Sequence, residues 1–397
     1  MSLTKTLYEK DLYPEIEEAG ASEFGRDCLE IAADRLAKGE IDRRTFLMAA
    51  TFLGLVPAAA TLGGREARAA AKELVLANWG GPARDAYYNF LGVPFEKATG
   101  LKVVIDGTGP LPSKVKAMVD AGAVVWDVCD MDTAKTLVLA KQNAIEAVDY
   151  TIVDKAKLPP KGAFEYGSAS YILSYVLTYN KAKLPAEPKT WRDFWDVAKF
   201  PGMRTMRKQP DGMLESVMLA AGKPKDQVYP IDMKLVVAKI RELKSNLIAW
   251  NSGSQSQDMF HQGEVVMGNL WHTRATILHK ESGGRLTWTW NEGLLSYSMW
   301  NVPKKNPAGR EAAMRFLAST QNPEGQVALL RAMGSGPVNP AAAAMVPDDL
   351  KMFDPGQPAA SAVQVEHNPF WYEEPSGRGN LTNDAVAREM WLDALSG

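Results

Sequence analysis

Cysteine is nearly missing from this 397-residue chain: only Cys28 and Cys129 occur. No framework of several disulfides can hold the fold, so a folded part of this length must rest on an apolar core. Histidine is almost as scarce. His261, His272, His279 and His367 show no metal-ligand spacing, and no metal or other cofactor is expected. An excess of one charge is lacking as well, with 45 Lys plus Arg against 47 Asp plus Glu, and 36 against 35 from Ala70 onward. Without a basic stripe, nucleic acid is not an expected partner. The apolar run Met48 to Leu62 is short and broken by Gly54 and Pro57, and no later stretch approaches a membrane span. Internal repeats and low-complexity tracts are absent.

What is present begins with Arg43-Arg44-Thr45-Phe46-Leu47, followed by that apolar run and by Ala67-Arg68-Ala69. Paired arginines, an apolar stretch and small residues, in this order, form a twin-arginine export signal over 43–69. The protein is therefore expected in the periplasm, with Cys129 left alone after cleavage. Residues 1–42 form an N-terminal extension, with helical patterning between Glu15 and Lys38.

From residue 70, short apolar runs alternate with amphipathic stretches. Strands are expected at Glu73–Asn78, Leu101–Asp106 and Val124–Asp130. Helices are expected at Ala83–Thr99, stopped by Gly100, at Ser113–Ala121 and at Asp132–Asn143. Such alternation implies parallel pairing with helices on both faces. Ligands then sit beyond the carboxyl ends of the strands, here Asn78-Trp79-Gly80-Gly81, Asp106 to Gly109 and Cys129 to Asp132. Ser168–Asn180 and Leu294–Val302 are long and β-rich, suited to crossing between lobes. Thr190-Trp191-Arg192-Asp193 reads as a capping box, and Asn322-Pro323-Glu324 as a helix start. The expected architecture is a two-lobed α/β clamshell with two hinge crossovers. Lobe 1 takes 70–179 plus 296–322, and lobe 2 takes 180–295 plus 323–397.

Several segments, in order, resemble the periplasmic solute-binding proteins of ABC importers, in the spermidine/putrescine-binding branch. They are Leu76-Ala77-Asn78-Trp79-Gly80, Trp126-Asp127-Val128, Leu177-Thr178-Tyr179-Asn180, Thr190 to Trp195, Glu264 to Trp271, Trp290 to Leu295 with Val302-Pro303-Lys304, and Gly336 to Asn339. The resemblance implies a type II periplasmic-binding fold. It also implies a monomer that captures a small solute and hands it unchanged to an ABC permease, without enzyme activity. Carried over, it implies ligand contacts from Trp79, Trp271, Glu215 and either Asp132 or Thr133. Two departures bear on the solute. Ser296 and Ser298 of Leu295-Ser296-Tyr297-Ser298 stand where polyamine binders carry an aromatic and an aspartate, and Arg274 follows Trp271-His272-Thr273.

A desolvated solute needs a partner for each of its charges. Ammonium groups would be met by Asp130, Asp132, Asp211, Glu215 or Glu292 and by the faces of Trp79, Trp271, Tyr171 or Tyr297. A carboxylate would be met by Arg274 and by the backbone N–H groups of Gly80-Gly81 ahead of a helix. The candidate ligand-binding set is Trp79, Gly80, Asp132, Thr133, Glu215, Trp271, Arg274, Tyr297 and Ser298. The solute is expected to bear an amine, polyamine-like or zwitterionic. An organic anion stays open, as does a thiaminase-like enzyme with Cys129 as nucleophile.

Overall fold

A computed structural model describes residues 73–396. The expected extension and the twin-arginine signal lie outside the described residues. Ten strands form one sheet: β1 (Glu73–Ala77), β2 (Lys102–Asp106), β3 (Val128–Asp132), β4 (Ala163–Phe164), β5 (Gly167–Asn180), β6 (Arg204–Arg207), β7 (Leu247–Trp250), β8 (Met267–Trp271), β9 (Leu286–Asn301) and β10 (Val365–Glu366). The order is β2-β1-β3-β9-β5-β8-β6-β7, with β10 on β9 and β4 on β5.

This order is two short parallel sheets welded by two long antiparallel strands. On one side β1 runs parallel to β2 and β3, and on the other β6 runs parallel to β7 and β8. Between them lie β5, of 14 residues, and β9, of 16. The end of β9 pairs with β3, Ser298 opposite Asp132 and Asn301 opposite Cys129. The second half of β5 pairs with β8, Tyr175 opposite Trp271 and Tyr179 opposite Met267. Each long strand thus serves both halves, and these are the two crossovers. The second starts earlier than expected, at Leu286.

The third strand also starts late, at Val128 rather than Val124. Asp127 explains the delay. Its N–H still donates to the Val75 carbonyl at 2.9 Å, but the return bond from the Val75 N–H goes to its carboxylate at 2.7 Å, which also accepts from the N–H of Ala308 at 2.6 Å. The helix expected at 83–99 forms as Pro82–Tyr87 and Val93–Thr99 joined by a π-helical turn. It ends on Gly100 in the left-handed conformation.

Each half buries its own apolar cluster. Leu74, Leu76, Val103, Val128, Trp300 and Phe316 belong to the first, and Leu177, Met206, Val217, Met267, Trp371 and Trp391 to the second. The helix Pro323–Met333 sends Leu329 and Met333 into the first cluster. Asn322 caps this helix three residues after the helix Arg310–Ser319 ends, and so short a connection keeps consecutive helices in one layer. The chain rejoins the second cluster at Val365.

At the start of the helix Trp191–Trp195, the Asp193 carboxylate accepts from the N–H of Lys189 at 2.8 Å and of Thr190 at 3.1 Å. Burial would raise its pKa, but these bonds and Lys199 lower it. Asp193→Ala should therefore lower the unfolding free energy by about 1 kcal/mol near neutral pH. A group with a depressed pKa stabilises above its unfolded value. The difference between the two proteins in urea titrations should shrink as pH falls below about 4.

Candidate functional site

The carboxyl ends of four parallel strands converge. β1 is followed by Asn78-Trp79-Gly80, β3 ends at Asp132, β6 at Arg207 and β8 at Trp271. Trp79, Asp130, Asp132, Lys135, Tyr171, Arg207, Trp271, Arg274 and Ser298 line one cleft, with Ala83, Tyr87, Leu173, Tyr175, Thr273 and Met333. The cavity these side chains enclose is about 40 Å³. Trp79 comes from one half and Trp271 from the other, and their ring centroids stand 6.1 Å apart at 53°. The Trp79 indole N–H donates to the Asp130 carbonyl at 2.9 Å. Trp271 is held from behind by the edge of Trp250 at 5.1 Å and by the Arg207 guanidinium, 4.8 Å from its ring centroid.

Two glycines make the walls possible. Gly80 has φ +66, and a Cβ there would lie 2.6 Å from the Gly107 carbonyl oxygen. Gly253 opens the helix α1 (Gly253–His261), and a Cβ on it would sit 2.3 Å from Nε of Arg274. Only glycine leaves the guanidinium its place.

The charges of the cleft fall into a paired and an unpaired group. Arg207 donates to Asp211 at 2.6 Å, and the Lys135 ammonium reaches Asp211 at 3.1 Å and also contacts Asp132. Burial would lower the Lys135 pKa, but the two carboxylates hold it above its ordinary value. Burial would likewise raise Asp211, but Arg207 and Lys135 hold it far below the usual carboxylate range. These four charges cancel.

Arg274 and Asp130 remain. Arg274, on the helix α2 (His272–Glu281), is 2% exposed. It donates only to neutral oxygens, Oε1 of Gln257 and the carbonyl of Gly80, each at 3.3 Å, and its Nε has no partner. Among the described residues no carboxylate pairs with it. Asp130 is equally buried and has no cationic partner among the described residues. It accepts from Tyr87 at 3.0 Å, from Tyr171 at 3.4 Å and from Ser298. Burial pushes its carboxyl up to about 6, against the pull of these hydroxyls.

Of the expected ligand contacts, Trp79, Asp132, Trp271, Arg274 and Ser298 line the cleft, while Gly80 borders it through its carbonyl bond to Arg274. The Gly80 N–H is not open to a ligand, because Asn78 Oδ1 accepts it at 2.9 Å. Thr133 turns its hydroxyl to the Tyr297 carbonyl at 3.3 Å, and both residues line a different cavity. Glu215 does not line the cleft. It is wholly buried on the helix Leu214–Ala220 and accepts from Tyr229 at 2.6 Å and Tyr372 at 2.7 Å. Glu292 is equally engaged, accepting the Trp191 N–H at 2.8 Å. Cys129 is buried among Ala77, Val115 and Met131, away from the cleft. Burial and nearby carboxylates push its thiol up, the opposite of what a nucleophile needs. Sequence reasoning missed Arg207 and Lys135. Arg207 closes a strand just before Pro210-Asp211-Gly212, and Lys135 lies three residues after the helix cap Asp132.

A family described as bacterial extracellular solute-binding protein matches residues 91–354. A gamma-aminobutyric acid-binding protein of Pseudomonas aeruginosa is 32% identical over 317 residues, 77% of this chain and 89% of that protein. The solved Atu4243-GABA receptor has a TM-score of 0.73 at 30% identity, covering 82% of this chain and 98% of its own. The binding protein MotA from A. tumefaciens B6, solved in complex with glucopine, has a TM-score of 0.74 at 28% identity, covering 81% and 99%.

The position of Glu215 gives it a purely structural effect. Glu215→Ala leaves two buried tyrosine hydroxyls without their acceptor, and should lower stability by about 2–4 kcal/mol. Urea unfolding of the variant beside the unchanged protein measures this.

Proposed function

The chain belongs to the bacterial extracellular solute-binding proteins, and from that premise we propose that it captures a small zwitterion of the amino-acid or opine kind. The carrying observation is the pair of buried charges without counter-ions, Arg274 and Asp130, facing one aromatic-walled cleft. A carboxylate would be taken by the Arg274 guanidinium, an ammonium by Asp130, and the apolar stem between them by the rings of Trp79 and Trp271. Relatives that carry gamma-aminobutyric acid in their names, and one solved with glucopine, support an amine-plus-carboxylate solute. A plain anion would leave Asp130 without a partner, and a simple diamine would meet Arg274 as a like charge.

The protein acts as a monomer in the periplasm, exported through the twin-arginine signal of residues 43–69. It closes over its solute and delivers it to an ABC permease without altering it. Cys129 takes no part, being buried away from the cleft.

A calorimetric panel of 4-aminobutyrate, opine conjugates, 1,4-diaminobutane and butyrate tests the reading. Binding of an amine-bearing carboxylate, with butyrate and the diamine much weaker, is the expected result. Butyrate binding as tightly as 4-aminobutyrate overturns it. Arg274→Ala should weaken zwitterion binding about 10- to 100-fold, the loss of one charge-assisted contact of about 1.5–3 kcal/mol.

The Asp130 carboxyl also sets a pH dependence. An ammonium beside it favours the ionised form, so binding releases the proton that Asp130 holds below about 6. Affinity for 4-aminobutyrate should fall as pH drops from 7.5 to 5, and Asp130→Asn should flatten the profile while weakening binding.

A further inference from the structure

We infer that Lys135 is a built-in ammonium that determines specificity, occupying the cleft's second acidic position so that a solute with two amines is refused. The inference rests on the solute reading above. Lys135 stands in the first turn of the helix Thr133–Lys141, and its side chain is almost wholly buried. Its ammonium lies between Asp132, on its own half of the sheet, and Asp211, which follows β6 on the other half, 3.1 Å away. It lines the cleft beside Trp79 and Trp271, in the position a solute's ammonium would need to reach these carboxylates.

Charge accounting gives the placement its consequence. Asp132 and Asp211 balance Lys135 and Arg207, which leaves Asp130 alone for one incoming ammonium. A second ammonium finds no free acid and meets Arg274 as a like charge. Without Lys135, one negative charge is released between Asp132 and Asp211, and an amine can replace it. The lysine's charge, together with Arg274, then separates an amine-plus-carboxylate site from a two-amine site.

A purely structural ion pair between the halves would behave differently. Removing it would loosen closure and weaken every solute alike, leaving selectivity unchanged.

The test titrates 4-aminobutyrate and 1,4-diaminobutane calorimetrically into the full chain, Lys135→Ala, Lys135→Met and Lys135→Ala/Asp132→Asn. Asparagine keeps the helix-cap acceptor and removes the released charge. Lys135→Ala should shift the affinity ratio toward the diamine at least about tenfold, equivalent to about 1.4 kcal/mol. The double variant should return the ratio most of the way. Lys135→Met reads the same shift if the alanine variant does not fold. Equal weakening of both solutes with an unchanged ratio overturns the inference, as does a starting protein that binds the diamine as tightly as the amino acid. If 4-aminobutyrate binds no form, the solute reading fails separately. Diamine binding by Lys135→Ala but not by the starting protein would then still support the role of Lys135, and no gain would overturn it.

Discussion

A charge withdrawn from water must find an opposite charge or a dense set of hydrogen bonds, and the cleft is organised by that requirement. Its walls bring five charged side chains into a space shielded by two tryptophans, and Asp211, paired with two of them, makes a sixth. Four of them settle among themselves: Arg207 with Asp211, and Lys135 between Asp211 and Asp132. Arg274 and Asp130 are left facing the cleft with neutral partners only. Hydroxyls of Tyr87, Tyr171 and Ser298 soften the burial of Asp130 without supplying a positive charge, so its carboxyl rests near 6. The solute we propose, carrying both signs, would complete the set.

The sheet is what makes such an arrangement reproducible. β5 and β9 pair with each other over nearly their whole length, and each also holds a short parallel sheet, so both halves inherit one register. Ser298 therefore sits opposite Asp132, and Tyr175 opposite Trp271. Side chains from the two halves meet because continuous strands carry them there. Across the cleft, Lys135 reaches Asp211, Arg274 donates to the Gly80 carbonyl, and the rings of Trp79 and Trp271 face each other.

Much of this was legible in the sequence. Strand and helix boundaries in the first half follow from apolar runs ended by Gly100 and from Asp132 as a cap, and the two crossovers from uncharged β-rich length. Trp79 and Trp271 follow from their places at strand ends. The failures share one cause, which is that a side chain's facing depends on packing with distant segments. Glu215 lies on a helix whose inner side meets Tyr229 and Tyr372, the latter from a segment more than a hundred residues away, and nothing local announces that meeting. Thr133 and Tyr297 sit beside cleft residues in sequence, but the period of β9 turns Tyr297 to another face, and Thr133, opening the helix Thr133–Lys141, turns its hydroxyl to the Tyr297 carbonyl. Lys135 and Arg207 escaped notice because each resembles an ordinary surface cation until a strand and a helix from opposite halves enclose it.

Serine in place of an aspartate at position 298 acquires a physical meaning from the same register. The hydroxyl does not simply delete a charge; it donates to Asp130, one strand over. The negative charge has in effect a single seat, on Asp130, stabilised by the residue that replaces the second acid. Arg274 adds a positive charge where Gly253 leaves room for it. With Lys135 and Arg207 already neutralising the remaining carboxylates, the cleft carries no net charge when Asp130 is ionised. A net-neutral solute keeps that balance as water is expelled, whereas a dication leaves uncompensated charge in a low-dielectric space and is disfavoured by several kcal/mol. On the proposed reading, selectivity arises from the penalty on the wrong charge pattern as much as from attraction to the right one.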